Sequence, residues 1–283
     1  MVFLAVFLLI WLLVGMAQFA PIRYHSGLSG RLVLIWSSAK FARLSRFHLC
    51  FYIVFKQLLK VLKTFRVLIY MNKNSLNKTL SKLNIGGLRY FDSIGSTNDE
   101  ALAWAAEGAG DLSIVIADEQ SQGRGRLNRK WYTPKDSAVA FSLILRPSAP
   151  HRSHLSRTVG LAALSIADSC RVLGLAPRIK WPNDILLNNK KTAGILIETV
   201  WSGEDVDSLV IGMGINVHRE SVPPVNLLQF PATSLEDELG KAPPAREEII
   251  LAILNTFIHW RARLGTDELI KAWEEILAFR GGQ

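Results

Sequence analysis
The residues from Lys180 to Lys191 crowd a Trp, a turn-forcing Pro, a carboxylate and a reactive lysine into one short stretch. The pentapeptide Lys180-Trp181-Pro182-Asn183-Asp184 is followed seven residues after Asp184 by Lys191, within Lys190-Lys191-Thr192-Ala193-Gly194-Ile195-Leu196, and apolar runs flank the pair. A lysine on the strand after such a turn can reach back over it, where a fixed ammonium would neutralise a carboxylate attacking a phosphate. Asp184 could hold a magnesium ion or orient an incoming amine. The plainer reading of the same residues is an edge strand ending in a Pro turn, with Trp181 as core filler, Asp184 as a cap and Lys191 as a hairpin lysine.

Upstream, Gly123-Arg124-Gly125-Arg126-Leu127-Asn128-Arg129-Lys130-Trp131 places three arginines and a lysine within nine residues. That composition makes a mobile, cationic lid whose glycines let backbone amides reach phosphate oxygens. Trp131 adds a flat face on which a base could stack. A solvated basic loop or an RNA-contacting turn is the alternative for the loop in isolation. Together the two segments point to a site for a phosphate-bearing, activated carboxylate, and hence to an enzyme.

The chain has 283 residues and a net charge of +9, which suggests nucleic-acid binding until the charge is located. Residues 1 to 70 hold nine Lys and Arg and no acid, while residues 71 to 283 hold 24 basic and 24 acidic residues and are formally neutral. The body of the protein is therefore not a general polyanion binder, and no DNA partner is expected. Cys50 and Cys170 lie far apart in unrelated segments, which supports neither a disulfide framework nor a CxxC site and favours a reducing, cytoplasmic compartment.

Met1 to Pro21 carries no charge and meets the length of roughly 20 apolar residues needed to span a bilayer. His48 to Tyr70 mixes Phe, Leu, Ile and Val with Lys56, Lys60, Lys63 and Arg66, the composition of a basic, membrane-surface helix. Composition then breaks at Met71. Residues 1–70 thus read either as a membrane-associated extension or as the product of a misplaced start, with Met71 as the true one. A polar leader over 71–87 and a catalytic domain over 88–283 follow. A homodimer is also compatible with the sequence.

The elements that must position the site read as follows. Leu88 to Asp92 and Leu112 to Ala117 are strands, and Ser96-Thr97-Asn98-Asp99-Glu100 caps a helix between them with acids in its first turn. Glu119 to Pro134 has no apolar period and makes a loop of about fifteen residues, a length that is usually functional or disordered inside compact domains. Ala138 to Leu145 is a strand and Leu155 to Leu173 a core helix. Pro177 to Lys180, Ile185 to Leu187, Lys191 to Thr199 and Val206 to Val217 are strands, with Asn188-Asn189 suited to a tight hairpin turn. From Pro244 the period turns helical, and Thr266 caps a last helix to about Leu277. Strands come in runs rather than in strict alternation with helices, so the fold class is α+β, a mixed sheet with helices packed on one side.

At this point the residues resemble the biotin protein ligases that act on acetyl-CoA carboxylase. The likeness covers roughly Leu88 to Leu277 and rests on Ser96-Thr97-Asn98, on Gln120 followed by Gly123-Arg124-Gly125-Arg126 and Arg129-x-Trp131, on Lys180 to Asp184, on Lys191-x-Ala193-Gly194-Ile195-Leu196, and on Gly212-x-Gly214-Ile215-Asn216. The resemblance implies a catalytic domain like those of class II aminoacyl-tRNA synthetases. It implies a two-step reaction in which biotin and MgATP give biotinyl-5′-AMP and pyrophosphate, and a lysine of a biotin carboxyl carrier domain then takes the biotinyl group.

On the same basis Ser96, Thr97, Asn98, Gln120, Arg124, Gly125, Arg126, Lys191 and Gly194 would contact biotin. Arg124, Arg126, Arg129, Trp131, Lys191 and Asn216 would contact ATP or the adenylate. Lys191, Arg126 and Asp184 would act in the chemistry, with Asp184 the candidate ligand for Mg2+. A neutral bicyclic ligand needs an apolar pocket with few polar anchors, and an acyl phosphate needs cations and exclusion of water. Both demands agree with the residues. Two departures stand out: nothing before residue 88 looks like the helix-turn-helix of bifunctional members, and the chain stops at Phe279 to Gln283, about where the usual SH3-like domain would begin, which reads as its absence. The alternatives are a lipoate ligase or octanoyltransferase, a DNA-binding regulator, a non-catalytic protein that binds biotinyl-AMP, and a membrane-anchored adaptor.

Overall fold
The computed structural model of the chain describes residues 71–279. The expectations for residues 1–70, a membrane segment, a surface helix or a misplaced start, lie outside the described residues. In chain order the elements are α1 (Lys73–Leu80), β1 (Gly87–Phe91), α2 (Thr97–Ala106), β2 (Ser113–Ala117), β3 (Ala138–Leu145), α3 (Ala149–Arg152), α4 (Thr158–Val172), β4 (Pro177–Lys180), β5 (Asp184–Leu187), β6 (Lys190–Ser202), β7 (Asp205–Asn216), α5 (Leu235–Leu239), α6 (Arg246–Arg261) and α7 (Asp267–Glu275). No described helix is long and apolar enough to cross a membrane.

The strands form one mixed sheet in the order β1-β2-β3-β7-β6-β5-β4. β1 and β2 are parallel, joined through α2, and all the other neighbours are antiparallel. The turn between β5 and β6 has Asn188 and Asn189 at φ of 47° and 60°, the left-handed pair that a two-residue hairpin demands and that Asn tolerates. β3 shows how the sheet sorts its side chains. Val139, Phe141, Leu143 and Leu145 face the main core with α4 and α6, whereas Ile144 faces a smaller cluster with Ala101 and Ala105 of α2. A strand buried on both faces needs a layer on each, so α2 departs from the one-sided packing: it covers the face opposite α4 and α6. Beyond its first turn its buried residues are alanines, Ala101 and Ala105, which let the helix lie close to the sheet.

The polar leader also contains structure. Asn72 caps α1, accepting from the amides of Asn74 and Ser75, and Leu76 and Leu80 are fully buried in the main core. Burying a leucine contributes about 1.5–3 kcal/mol, enough to hold a short helix that would not persist alone. Ser75 Oγ donates to Glu247 Oε1 at 2.6 Å, and Tyr90 donates to the carbonyl of Met71 at 2.9 Å. Polar residues on the solvent side of so short a helix hide its two-leucine stripe from a reading by composition.

Candidate functional site
On the α2 face of the sheet the central strands carry residues too small to fill it. Strand register aligns Gly194, Gly214 and Ala140 in one row and Leu196, Gly212 and Ser142 in the next. The space above these rows is taken by side chains from other elements. A Cβ at Gly212 would lie 2.1 Å from Asn98 Oδ1, and one at Gly214 would lie 2.3 Å from the indole of Trp131. Glycine at both positions therefore answers close approach and not backbone conformation.

The first turn of α2 forms the polar wall. Ser96, Thr97 and Asn98 are buried, and Ser96 occupies the N-cap position without using its side chain as a cap, so the expected capping bond is absent. Thr97 donates from its amide (2.8 Å) and hydroxyl (3.1 Å) to Gln120 Oε1, while Gln120 Nε2 donates to Thr133 (3.0 Å). Ser142 Oγ lies 2.8 Å from Thr97 Oγ1 and donates to Asn98 Oδ1 at 2.6 Å. Asn98 Nδ2 donates to Glu198 Oε2 at 2.8 Å.

The expected mobile lid is a hydrogen-bonded hairpin. Trp131 N donates to the Gly123 carbonyl (2.9 Å) and Gly125 N to that of Arg129 (2.7 Å), around a tight turn in which Leu127 and Asn128 are left-handed. Protein contacts pin it. Arg124 pairs with Glu198 at 2.6 Å and Asp99 at 2.8 Å, and Arg126 donates to Asn183 Oδ1 at 3.2 Å. Trp131 lies over Gly194 and Gly214, with its indole N–H buried and unpartnered.

Below the hairpin, Lys191 Nζ and Asp184 Oδ1 form an ion pair at 2.7 Å. The cis Trp181–Pro182 bond lies in the turn that leads into β5. The remaining cations have no acidic partner: among the described residues Arg126, Arg129, Lys130 and Lys180 form no ion pair, and Lys180 Nζ sits 3.9 Å above the ring of Phe230. Two cavities adjoin here. One of about 260 Å3 is lined by Ser96, Thr97, Asn98, Gln120, Arg124, Gly125, Arg126, Arg129, Trp131, Asp184, Lys191 and Gly194, which brings together every expected site residue except Asn216. The other, of about 860 Å3, shares Trp131, Asp184 and Lys191 and adds Asn216 and Phe230. Asn216 is buried and donates to the Thr233 carbonyl at 3.1 Å.

The expectation of Mg2+ on Asp184 does not fit this arrangement. A divalent cation at that carboxylate would face the Lys191 ammonium at close range, a repulsion that no other acid relieves, and no group of three or more His, Cys, Asp or Glu among the described residues is arranged to hold a metal. Asp184 is instead paired with Lys191.

Ser142, Glu198, Thr133 and Phe230 were not singled out in the sequence. Ser142 is the only polar residue of β3, and Glu198 interrupts an apolar strand, so a buried polar partner was legible for both. Phe230 lies in an irregular segment with no such signal.

Residues 90–216 match the family described as biotin/lipoate A/B protein ligase. The biotin–[acetyl-CoA-carboxylase] ligase of Paracoccus denitrificans is 37% identical over 177 residues, covering 60% of this chain and 71% of that protein. The chain belongs to the biotin/lipoate A/B protein ligase family. The bifunctional ligase/repressor BirA of Bacillus subtilis is 39% identical over 155 residues, covering 54% of this chain and 47% of that protein, so the chain spans about half the length of that relative. Among solved structures, the biotin protein ligase of Aquifex aeolicus in complex with biotin and ATP superposes with a TM-score of 0.54 at 28% identity, covering 69% of this chain and 75% of that one. The biotin protein ligase of Leishmania major gives a TM-score of 0.56 at 24% identity over 70% of this chain and 87% of that one, a likeness of fold. The family and the class II synthetase-like fold expected from the sequence both stand.

Proposed function
We propose that this chain is an ATP-dependent biotin protein ligase that forms biotinyl-5′-AMP and transfers the biotinyl group to a lysine of a biotin carboxyl carrier domain. The observation that carries the reading is the position of Lys191 on the wall shared by both cavities. A carboxylate entering from the smaller cavity and an α-phosphate entering from the larger one would meet at its ammonium. One carboxylate oxygen attacks the α-phosphorus, and pyrophosphate leaves with the electrons of the broken P–O bond. Lys191 offsets the negative charge that accumulates as the two anions join, while Asp184 holds it in place. In the second step the neutral amine of the acceptor lysine attacks the acyl carbon and AMP departs.

The polar wall of Ser96, Thr97, Asn98 and Gln120 suits a neutral ring bearing N–H and C=O groups, and Arg126, Arg129, Lys130 and Lys180, which have no acidic partner, suit the phosphates. Trp131 and Asn216 border the space for the base. A cytoplasmic location is part of the same proposal. The Paracoccus relative is named as a ligase for acetyl-CoA carboxylase, which supports its carrier domain as the partner.

The test is to incubate the full chain with biotin, MgATP and a carrier domain, following pyrophosphate release and the mass of the acceptor. Release together with a biotinyl mass shift is expected. Release without a shift would make the chain a biotinyl-AMP-binding protein, and a shift with lipoate or octanoate in place of biotin would make it a lipoate-type enzyme.

A further inference from the structure
We propose that Glu198 is a positioning residue that ties the floor of the smaller cavity to the cationic hairpin, setting the amide of Asn98 and the seat of Arg124 through one carboxylate oxygen. Glu198 does not itself line the cavity. Its Oε2 accepts from Asn98 Nδ2 at 2.8 Å and from Arg124 Nη2 at 2.6 Å. The first donor belongs to the wall on α2, and the second to a loop that approaches from the far side.

The setting explains why a carboxylate stands there. Glu198 is opposite Val210 in the β6–β7 ladder, and Val210 and Val200 pack in the alanine-rich cluster under α2. A charge beside such a surface is costly unless it is paired and hydrogen-bonded, and both partners found belong to the candidate site. Arg124 has a second carboxylate in Asp99, but the Asp99 side chain is 57% exposed against 26% for Glu198. Solvent screening weakens the exposed pair, so Glu198 is the firmer anchor.

Two consequences follow. Because the Asn98 amide donates to Glu198, its Oδ1 is turned toward Ser142 and the Gly212 floor, so Glu198 decides which end of that amide the cavity presents. Because the same oxygen holds Arg124, opening the hairpin strips Glu198 of its counter-ion, which favours the closed hairpin and the set wall together.

The biotin arm of the test rests on the biotin-ligase reading, and the hairpin arm does not. Glu198→Gln keeps a carbonyl oxygen able to accept from both donors but removes the charge, whereas Glu198→Ala removes both functions. On ligand-free protein, tryptic cleavage between Arg124 and Lys130 should accelerate about three- to tenfold in both variants, the range for losing one partly exposed charged contact. Fragment masses assign the cut and thermal melting monitors folding. Biotin KM for pyrophosphate release should stay within about twofold for Glu198→Gln and rise about tenfold for Glu198→Ala, with kcat little changed because Lys191 is untouched. Unchanged cleavage in Glu198→Gln overturns the proposal, as does a loss in kcat with KM unaltered. If the wild type shows no biotin-dependent reaction, the functional reading fails while cleavage still decides the coupling. Should the alanine variant not fold, the glutamine variant decides alone.

Discussion

Gly212→Ala places a methyl group where the structure has none to spare. The new Cβ would lie 2.1 Å from Asn98 Oδ1 and 2.9 Å from its Cγ, whereas C···O contacts seldom fall below about 3.3 Å. Asn98 must therefore retreat by roughly 1 Å, or β7 must. β7 is hydrogen-bonded to β3 on one side and β6 on the other, so the side chain is the part that gives. Its bonds to Ser142 (2.6 Å) and Glu198 (2.8 Å) are then lost, and Ser142 is fully buried. Ser142 keeps its bond to Thr97 and Glu198 its pair with Arg124, so the cost is that of the two lost bonds, about 0.5–1.5 kcal/mol for the neutral one and about 1.5–3 kcal/mol for the one to a charged group, against which Gly→Ala in a strand returns about 0.5–1 kcal/mol. The net expectation is a loss of about 1–4 kcal/mol, or a fall in Tm of roughly 2–16 °C for a domain of this size. Biotin affinity should drop at least about tenfold, since 1.4 kcal/mol is one decade. Thermal melting and calorimetric titration with biotin measure both. Adding Asn98→Ala supplies the control: if the clash is the cause, the double variant is about as stable as Asn98→Ala alone, because both changes forfeit the same two bonds. A Gly212→Ala protein as stable as the wild type, or fully additive losses in the double variant, would refute the reasoning.

Three further outcomes are expected. Lys191→Met should slow pyrophosphate release by about 10²-fold while calorimetry still detects biotin binding; a rate near that of the wild type would remove Lys191 from the chemistry. Arg126→Gly cuts the bond to Asn183 and frees the hairpin turn, so released adenylate should label stray amines more relative to the true acceptor, as mass spectrometry of both would show. An equal fall in both signals would assign Arg126 to forming the adenylate and not to retaining it. Asp136 has its carboxyl raised above the ordinary value of 3.8, first by burial and then by its hydrogen bond with Asp118. The folded state thus holds this proton more tightly than the unfolded chain, and the stability it contributes is present at low pH and lost as pH rises through its raised value. Asp136→Asn, which tolerates the left-handed φ of 63°, should gain in Tm relative to the wild type as pH is raised from 4 to 7, and a flat difference would contradict the assignment.

Much of this protein could be read from residue types and spacing. The strand-like run Ala138 to Leu145 matches β3 to the residue, and the Asn188-Asn189 pair located its hairpin because few other residues accept two positive φ values. The Lys180 to Lys191 cluster and the arginine hairpin stood out because uncommon residue types recur there at short range, and both line one cavity. What the chain could not reveal by pattern is whatever depends on contacts between distant segments. The helix α1 has a stripe of two leucines, too brief to register against its polar neighbours, and it persists through packing on α6. The layer covering each face of the sheet is likewise settled by tertiary packing, since α2 is alanine-rich and alanine marks no side. Composition made the loop from Glu119 to Pro134 look unpinned, and it is held by Glu198, Asp99 and Asn183, partners 57 to 74 residues away in two of these contacts. Asp184 on its own reads as a metal ligand, and its pairing with Lys191 is visible only once the β5–β6 hairpin brings the two charges within 2.7 Å. Local pattern records backbone preference and residue chemistry, whereas a pair energy exists only after folding has set the distance.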